Sequence, residues 1–335
     1  MLRVVLSEVE GRQRLRVLFL EPADGSTLLT IGPELVEGPK DKRGFVELDR
    51  DRALPIIKSA LKEDIGKGDI TTSALVDKFL SSRATIIAKE DCVVCGLKIA
   101  EWTMTQVDYS VRFKPNCNDG DFVGKDKELA FLEGHISSIL RAERTMLNFI
   151  EFLSGIATKT KTFVDKAKPY GVKIMDTRKT YPLLRYLEKY AVTTGGGANH
   201  RMGLYDQVLI KDNHIRIHQV TTAQGHRLSL KELVETARKK NIRGTVIEIE
   251  VADLAEFQDA LQGKPDIIML DNMKPVDVKA CVELRRLSRT KPLLEVSGGI
   301  KIENIDQYAS TGIDMISVGA LTHSVRSTDV SLEII

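Results

Sequence analysis

The spacing of apolar and polar positions divides the chain into segments with different periods. Residues 14–20 alternate Arg14, Arg16 with Leu15, Val17 before an apolar end, a strand-like pattern, and Ala23-Asp24-Gly25-Ser26 is a turn signal. Gly38-Pro39-Lys40-Asp41-Lys42-Arg43-Gly44 reads as a polar linker. Residues 1–48 are thus expected to form an extension, a small hairpin or a loosely held arm, and carry no evident chemistry. From Asp49 the pattern becomes regular. Residues 52–64 place Leu54, Ile57 and Leu61 on one helical stripe. Strand signals follow at 83–88, 109–113 and 128–132, separated by Gly- and Asp-rich turns. A long helical stretch covers 137–168, with a predicted interruption at Ser154-Gly155. This combination predicts an α+β layer with an antiparallel sheet.

After residue 168 the rhythm changes to short apolar runs, each followed by a polar loop and a helical segment. The predicted strands are 172–175, 190–192, 207–210, 245–249, 266–270, 293–296 and 315–318, with amphipathic helices such as 230–240 and 276–287 between them. Repeated strand–helix alternation implies a parallel sheet. An incomplete β/α barrel of about seven strands accounts for it, with a doubly wound sheet as the alternative.

Composition changes this picture little, but it excludes several functions. The chain is 42% hydrophobic and 29% charged, enough for a large core under an ordinary surface. A net charge of +2 argues against nucleic-acid binding by bulk electrostatics. No apolar run approaches the roughly 18 residues of a membrane span, so no membrane association is expected. Glu8 and Glu10 interrupt the apolar N-terminus, which makes a poor signal peptide. Four cysteines in a chain this long do not build a disulfide framework. A reducing, cytoplasmic setting is therefore expected. Cys92 and Cys95 form a lone C-x-x-C without a second ligand pair, and read as small core residues rather than a zinc site.

Candidate chemistry collects directly after the predicted strands. Asp176-Thr177-Arg178-Lys179-Thr180 follows one and Lys211-Asp212-Asn213-His214 another. Glu248 and Glu250 flank a strand end, and Asp271-Asn272, Ser297-Gly298-Gly299 and Gly319-Ala320 follow three more. In a β/α barrel all these strand ends meet on one face, where active sites are built. The early loops supply the cations Arg178, Lys179, Arg201 and Lys211, with His200 beside them; such groups suit carboxylates. Glu250 and Asp271 suit a hydrated divalent cation. The small residues of the last loops let backbone N–H groups approach a phosphate. Each signal alone has a bland explanation. An Arg-Lys pair is usually a solvated face, and Gly195-Gly196-Gly197 lacks the Lys-Ser/Thr of a P-loop. Their joint placement on strand ends is what points to a carboxylate-rich anion and a metal-bound phosphate.

At the level of motifs, Thr177-Arg178-Lys179-Thr180, Leu187-Glu188-Lys189-Tyr190-Ala191-Val192, Gly195-Gly196-Gly197, Asn199-His200-Arg201 and Leu209-Ile210-Lys211-Asp212-Asn213-His214 closely resemble the quinolinate phosphoribosyltransferase family. The likeness starts near Glu63-Asp64-Ile65-Gly66-Lys67-Gly68-Asp69 and continues through Glu143-Arg144-Thr145-Met146-Leu147-Asn148. It ends at Val318-Gly319-Ala320-Leu321-Thr322-His323-Ser324. The resemblance implies an N-terminal α/β sandwich over 49–153, completed by 325–335, and an incomplete barrel over 154–324. It implies a homodimer or higher oligomer and a Mg²⁺-dependent reaction of quinolinate with phosphoribosyl pyrophosphate. Nicotinate mononucleotide, pyrophosphate and carbon dioxide would be the products, in a step of NAD biosynthesis.

By motif, Thr177, Arg178, Lys179, His200, Arg201 and Lys211 would bind quinolinate, joined by Arg144 from the neighbouring subunit. Glu250 and Asp271 would hold the ribose hydroxyls and Mg²⁺ through water, and with Lys179 would be the catalytic groups. Ser297, Gly298, Gly299, Val318, Gly319 and Ala320 would take the 5-phosphate. One departure stands out: Leu183 follows Pro182 where the family usually has Gly. Leucine lacks glycine's easy access to positive φ, so that loop is expected to differ in shape. A related pyrophosphorylase of the molybdenum-transport-associated type is the nearest alternative. A Schiff-base aldolase using Lys179 or Lys211 and a non-catalytic dicarboxylate-binding protein lie further off.

Overall fold

The computed structural model describes residues 3–9, 12–18, 48–220, 228–241 and 243–335. The predicted turn at 23–26 and linker at 38–44 lie outside these residues. Two compact units are distinguished, Met1–Glu37 and Gly38–Ile335. In the first, β1 (Arg3–Val9) and β2 (Arg12–Leu18) form an antiparallel hairpin with Arg3 opposite Leu18 and Val9 opposite Arg12.

In the second, α1 (Arg50–Ile65) starts at Asp49, whose carboxylate accepts the Asp51 N–H at 2.8 Å, and buries Ala53, Ile57 and Leu61. Next come α2 (Ile70–Leu75), β3 (Ser81–Ala88), β4 (Cys92–Val93), α3 (Leu97–Val107), β5 (Arg112–Pro115), β6 (Phe122–Val123) and β7 (Glu128–His135). The long helix α4 (Ile136–Ala167) leads to β8 (Lys173–Met175), α5 (Arg185–Thr194), β9 (Val208–Ile210), α6 (Asp212–Val220) and α7 (Leu230–Lys240). The remaining elements are β10 (Ile247–Val251), α8 (Leu254–Gln262), β11 (Ile267–Asp271), α9 (Pro275–Leu287), β12 (Leu293–Ser297), α10 (Ile305–Ala309), β13 (Met315–Ser317), α11 (Ala320–His323) and β14 (Val330–Ile334).

Two larger sheets organise this unit, beside a short β4-β6 pair. An antiparallel sheet runs β14-β3-β7-β5, so the last strand of the chain pairs with one of the first. A parallel sheet runs β8-β13-β12-β11-β10-β9, in which β8 and β9 are edges. A sheet that curls without joining those edges is the incomplete barrel that was expected, but it has six strands among the described residues. The predicted strand 190–192 lies inside α5. Its apolar run looks β-like in isolation, yet over 185–194 Leu187 and Ala191, and Glu188 and Val192, recur at helical spacing and are buried. The strand predicted at 109–113 begins only at Arg112.

Helix α4 is continuous through Ser154-Gly155, where a break was predicted. Both residues serve packing. The Ser154 hydroxyl accepts the Cys95 N–H at 2.9 Å and donates to the Cys95 carbonyl at 3.1 Å. A Cβ on Gly155 would collide with the Arg326 carbonyl and lie 3.1 Å from Ser327 Cα, so the glycine lets the C-terminal segment lie on the helix. Through its length α4 contributes to two apolar cores, one under the antiparallel sheet and one between the parallel sheet and its helices. Cys92 and Cys95 are buried, and burial pushes the Cys92 thiol up to about 11, which suits core residues. Among the described residues no helix is long and apolar enough to cross a membrane.

One core group carries a pH-dependent cost. Glu188 on α5 is fully buried; one carboxylate oxygen accepts the Tyr181 N–H at 2.8 Å and the other has no partner. Burial pushes its pKa up to about 7. The folded protein therefore binds this proton more tightly than the unfolded chain, and stability from this group falls as pH rises toward 7 and stays low above it. Glu188→Gln is expected to raise the melting temperature at pH 8.5 and change it little at pH 5, by thermal denaturation. Equal effects at both pH values would contradict this.

Candidate active site

The strands of the parallel sheet are patterned in an unusual sense. Ile247, Ile249, Val251, Ile268, Leu270, Leu294, Val296 and Ile316 belong to the apolar core that includes the surrounding helices. The alternate positions, which point the other way, include Glu248, Glu250, Met269, Asp271, Glu295, Ser297 and Ser317. Strand register puts Asp271 beside Ser297 and Ser297 beside Ser317. The polar members nearest the C-terminal strand ends, with the loops that follow, line a cavity of about 320 Å³.

Most of the predicted site residues meet there. Thr177, Arg178 and Lys179 enter from the loop after β8, and His200 and Arg201 from the loop after α5. Lys211 follows β9, and Glu250, Asp271 and Ser297 come from β10, β11 and β12. Cations and carboxylates share the cavity. Among the described residues no carboxylate lies within 4.0 Å of Arg178, Lys179 or Arg201, whereas Lys211 Nζ is 2.8 Å from Glu250 Oε1. Arg178 Nε is buried without a hydrogen-bond partner. Burial, and next the Arg178 guanidinium, lower the pKa of Arg201. Arg178 and Arg201, withdrawn from solvent without carboxylate partners among the described residues, together with the exposed Lys179 form a receptor for an anion. Glu250 and Asp271 supply only hard oxygen donors, and Asp271 Oδ2 accepts the Asn272 amide at 2.9 Å. That donor set fits a hydrated Mg²⁺.

The loop bearing His200 and Arg201 is fixed from several directions. The His200 N–H donates to Asp176 Oδ1 at 2.9 Å, and its carbonyl accepts Lys189 Nζ at 2.9 Å. Lys189 also pairs with Asp176, and both are buried. His200 Nδ1 accepts the Arg201 N–H at 2.8 Å, while Nε2 lies 3.0 Å from Glu248 Oε2 and 3.7 Å from Glu295 Oε2. Burial disfavours an imidazolium here, but the two carboxylates outweigh it and raise the His200 pKa. Burial and then Glu248 raise that of Glu295, which accepts a hydrogen bond from Ser317 at 2.5 Å. His200, Glu248 and Glu295 bring potential metal-ligand atoms within 4.8 Å of one another. Gln207 and Ser317 already donate to these carboxylates, so the group reads as a hydrogen-bonded cluster.

Other predicted residues lie apart from the cavity. Arg144 on α4 is outside it, 3.6 Å from Glu151 and with its side chain 58% exposed. Gly298, Gly299, Val318, Gly319 and Ala320 do not line it. Gly298 and Gly299 take φ +94° and +64°, and Gly319 passes close to Lys179, where an added Cβ would be 3.2 Å from Cδ. The Val318 N–H donates to the Met175 carbonyl at 3.0 Å and is not free for a phosphate. Leu183 adopts φ +68° and is exposed, so leucine occupies the left-handed region it was expected to avoid. The sequence reading places Glu248 at its strand end without a site role and does not select Glu295, Gln207 or Ser317. The available signal was strand alternation, since Glu248 precedes Glu250, and Glu295 precedes Ser297, by two positions.

Comparison with known proteins agrees with this arrangement. Residues 69–154 match the model of the quinolinate phosphoribosyl transferase N-terminal domain, and residues 156–333 that of the C-terminal domain. A probable nicotinate-nucleotide pyrophosphorylase (carboxylating) of Methanocaldococcus jannaschii is 44% identical over 293 residues, 85% of this chain and 98% of the relative. The chloroplastic nicotinate-nucleotide pyrophosphorylase of Arabidopsis thaliana is 39% identical over 292 residues, 83% of this chain and 82% of the relative. Among solved structures, nicotinate-nucleotide pyrophosphorylase from Francisella tularensis superposes with a TM-score of 0.78 at 37% identity, covering 86% of this chain and 98% of its own. The Ehrlichia chaffeensis enzyme gives 0.77 at 37% identity, with 86% and 100% covered. With both domains matched in order and the cation-lined cavity at the strand ends of the second, the chain belongs to the quinolinate phosphoribosyl transferase family.

Proposed function

We propose that this protein joins quinolinate to phosphoribosyl pyrophosphate, releasing pyrophosphate and carbon dioxide and forming nicotinate mononucleotide for NAD biosynthesis. The observation that carries the reading is the trio Arg178, Lys179 and Arg201, without carboxylate partners among the described residues, in one cavity with Glu250 and Asp271. Quinolinate is a dianion, and each of its carboxylates finds a cation in such a pocket. Nicotinate would leave one or more cations unpaired, at a cost of about 1–3 kcal/mol each, so quinolinate is strongly preferred.

In this reading the bond from ribose C1 to pyrophosphate breaks, positive charge grows on the sugar, and the pyridine nitrogen supplies the new bond. Glu250 and Asp271 stabilise the developing cation electrostatically. They would also hold a hydrated Mg²⁺, which would supply charge neutralisation to the pyrophosphate. Lys179 lies on the cationic side and assists the departing anion. Departure of the adjacent carboxylate as carbon dioxide then leaves its electron pair on the ring carbon, stabilised by the neighbouring pyridinium charge, and a proton from water completes nicotinate mononucleotide. No covalent enzyme intermediate is needed. Ser297, Gly298, Gly299, Gly319 and Ala320 belong to the 5-phosphate end, with Val318 acting through packing.

The reading includes a homodimer in which Arg144 completes the neighbouring site; its exposure outside its own cavity supports this, as do exposed Ile70, Leu75 and Phe79 on nearby segments. It includes a cytoplasmic setting, supported by four unpaired cysteines, and a sandwich domain at 49–153 with 325–335 beside a barrel domain at 154–324. The test is an assay with quinolinate labelled at the 2-carboxyl, phosphoribosyl pyrophosphate and Mg²⁺. Labelled carbon dioxide and nicotinate mononucleotide are expected in equal amounts, and chelation should abolish both. Absence of both products with Mg²⁺ present, or comparable turnover of nicotinate, would overturn the reading.

A further inference from the structure

We infer that Glu248, a buried residue that does not line the cavity, is a positioning residue that sets the place of Arg201 through His200 and Gln207. The inference rests on the reading of Arg201 as a carboxylate-binding group. It starts from a closed ring of contacts. Glu248 Oε2 lies 3.0 Å from His200 Nε2. His200 Nδ1 accepts the Arg201 N–H at 2.8 Å. The Arg201 guanidinium donates through Nη1 to the Gln207 carbonyl at 3.1 Å. The Gln207 side-chain amide returns to Glu248 Oε2. Arg201 is thus held at its backbone by one partner of Glu248 and at its guanidinium by the other.

The ring also constrains what His200 does. An imidazole nitrogen that accepts a backbone N–H carries no proton, so the ring's hydrogen sits on Nε2, facing Glu248. Nδ1 is occupied by that backbone N–H, while Nε2 lies 3.0 Å from Glu248 Oε2 without an aligned hydrogen bond. In this arrangement His200 holds Arg201 through Nδ1, in addition to the substrate contact its motif implied. Glu248 is 0% exposed, is fixed in β10, and takes its place two residues before Glu250. The same strand thereby positions a cation of the cavity and carries one of its acids. A guanidinium displaced by about 1 Å loses bidentate geometry, and misplacements of that size cost up to about 100-fold.

Steady-state kinetics on the full-length enzyme, comparing wild type, Glu248→Gln and Arg201→Ala, tests the inference. Glu248→Gln keeps the side-chain shape and removes the charge. It is expected to raise the KM for quinolinate about 10–100-fold while the KM for phosphoribosyl pyrophosphate stays within about twofold. Arg201→Ala is expected to raise the quinolinate KM at least as much. If Arg201→Ala does so and Glu248→Gln leaves quinolinate KM unchanged, or shifts both KM values together, the positioning role is wrong and the pocket assignment stands. If Arg201→Ala has no effect on quinolinate, the pocket assignment itself fails. Should Glu248→Gln not fold, ¹⁵N NMR of the histidine rings in the wild-type enzyme at pH 8.5 decides. A His200 protonated at Nε2 and bare at Nδ1 supports the ring of contacts; a proton on Nδ1 overturns it.

Discussion

Arg178→Ala is expected to raise the KM for quinolinate by about 100-fold, with the fold and the KM for phosphoribosyl pyrophosphate little changed. Charge-assisted hydrogen bonds contribute about 1.5–3 kcal/mol each, and about 1.4 kcal/mol corresponds to a tenfold change in affinity. A bidentate guanidinium contributes at the upper end, and its loss leaves one substrate carboxylate facing an empty corner of the cavity. The fold should persist because, among the described residues, Arg178 holds no counter-ion within 4.0 Å, and it weighs against the charge of Arg201. Removing it relieves repulsion in the ligand-free protein. Steady-state kinetics with each substrate varied in turn, together with thermal denaturation, measures both halves of the expectation. Unchanged quinolinate kinetics would remove Arg178 from the binding wall.

Asp271→Asn should act on the other kinetic parameter. The amide keeps the volume and can still bond to Asn272, now 2.9 Å from Asp271 Oδ2, but it carries no charge. In the proposed chemistry the carboxylate interacts most strongly when the sugar becomes cationic, so its removal slows turnover more than it weakens quinolinate binding. Loss of one such preorganised group typically lowers kcat about 100–1000-fold. That range is expected here, with quinolinate KM changed by less than about threefold. A variant with wild-type kcat would show that Asp271 takes no part in the rate-determining charge separation.

Much of this site was legible in the sequence because barrel topology gathers residues by position alone. Arg178, Lys211, Glu250, Asp271 and Ser297 each follow or end a short apolar run, and any curled parallel sheet brings such positions to one rim. What stayed hidden lies one layer below. Glu248 and Glu295 occupy alternate positions in strands, a pattern that equally describes a solvent-facing edge. Their burial follows only once helices are known to cover the apolar side. The segment Tyr190-Ala191-Val192 misled for a related reason: a short window of β-formers outweighed the helical period that a longer window contains. Ser154-Gly155 looked like a helix break because its cause, the close passage of residues 325–327, is far away in sequence. The proposed phosphate end was only half readable: Ser297 lines the cavity, whereas the Val318 N–H is bonded to Met175.

A crystal structure of the protein with quinolinate bound addresses the central claim most directly. The two carboxylates are expected within hydrogen-bonding distance of the Arg178 and Arg201 guanidinium groups, with Lys179 or Lys211 nearby and the ring nitrogen turned toward the Glu250–Asp271 side. A dicarboxylate found elsewhere on the molecule, or lying in the cavity with neither arginine touching it, would contradict the account.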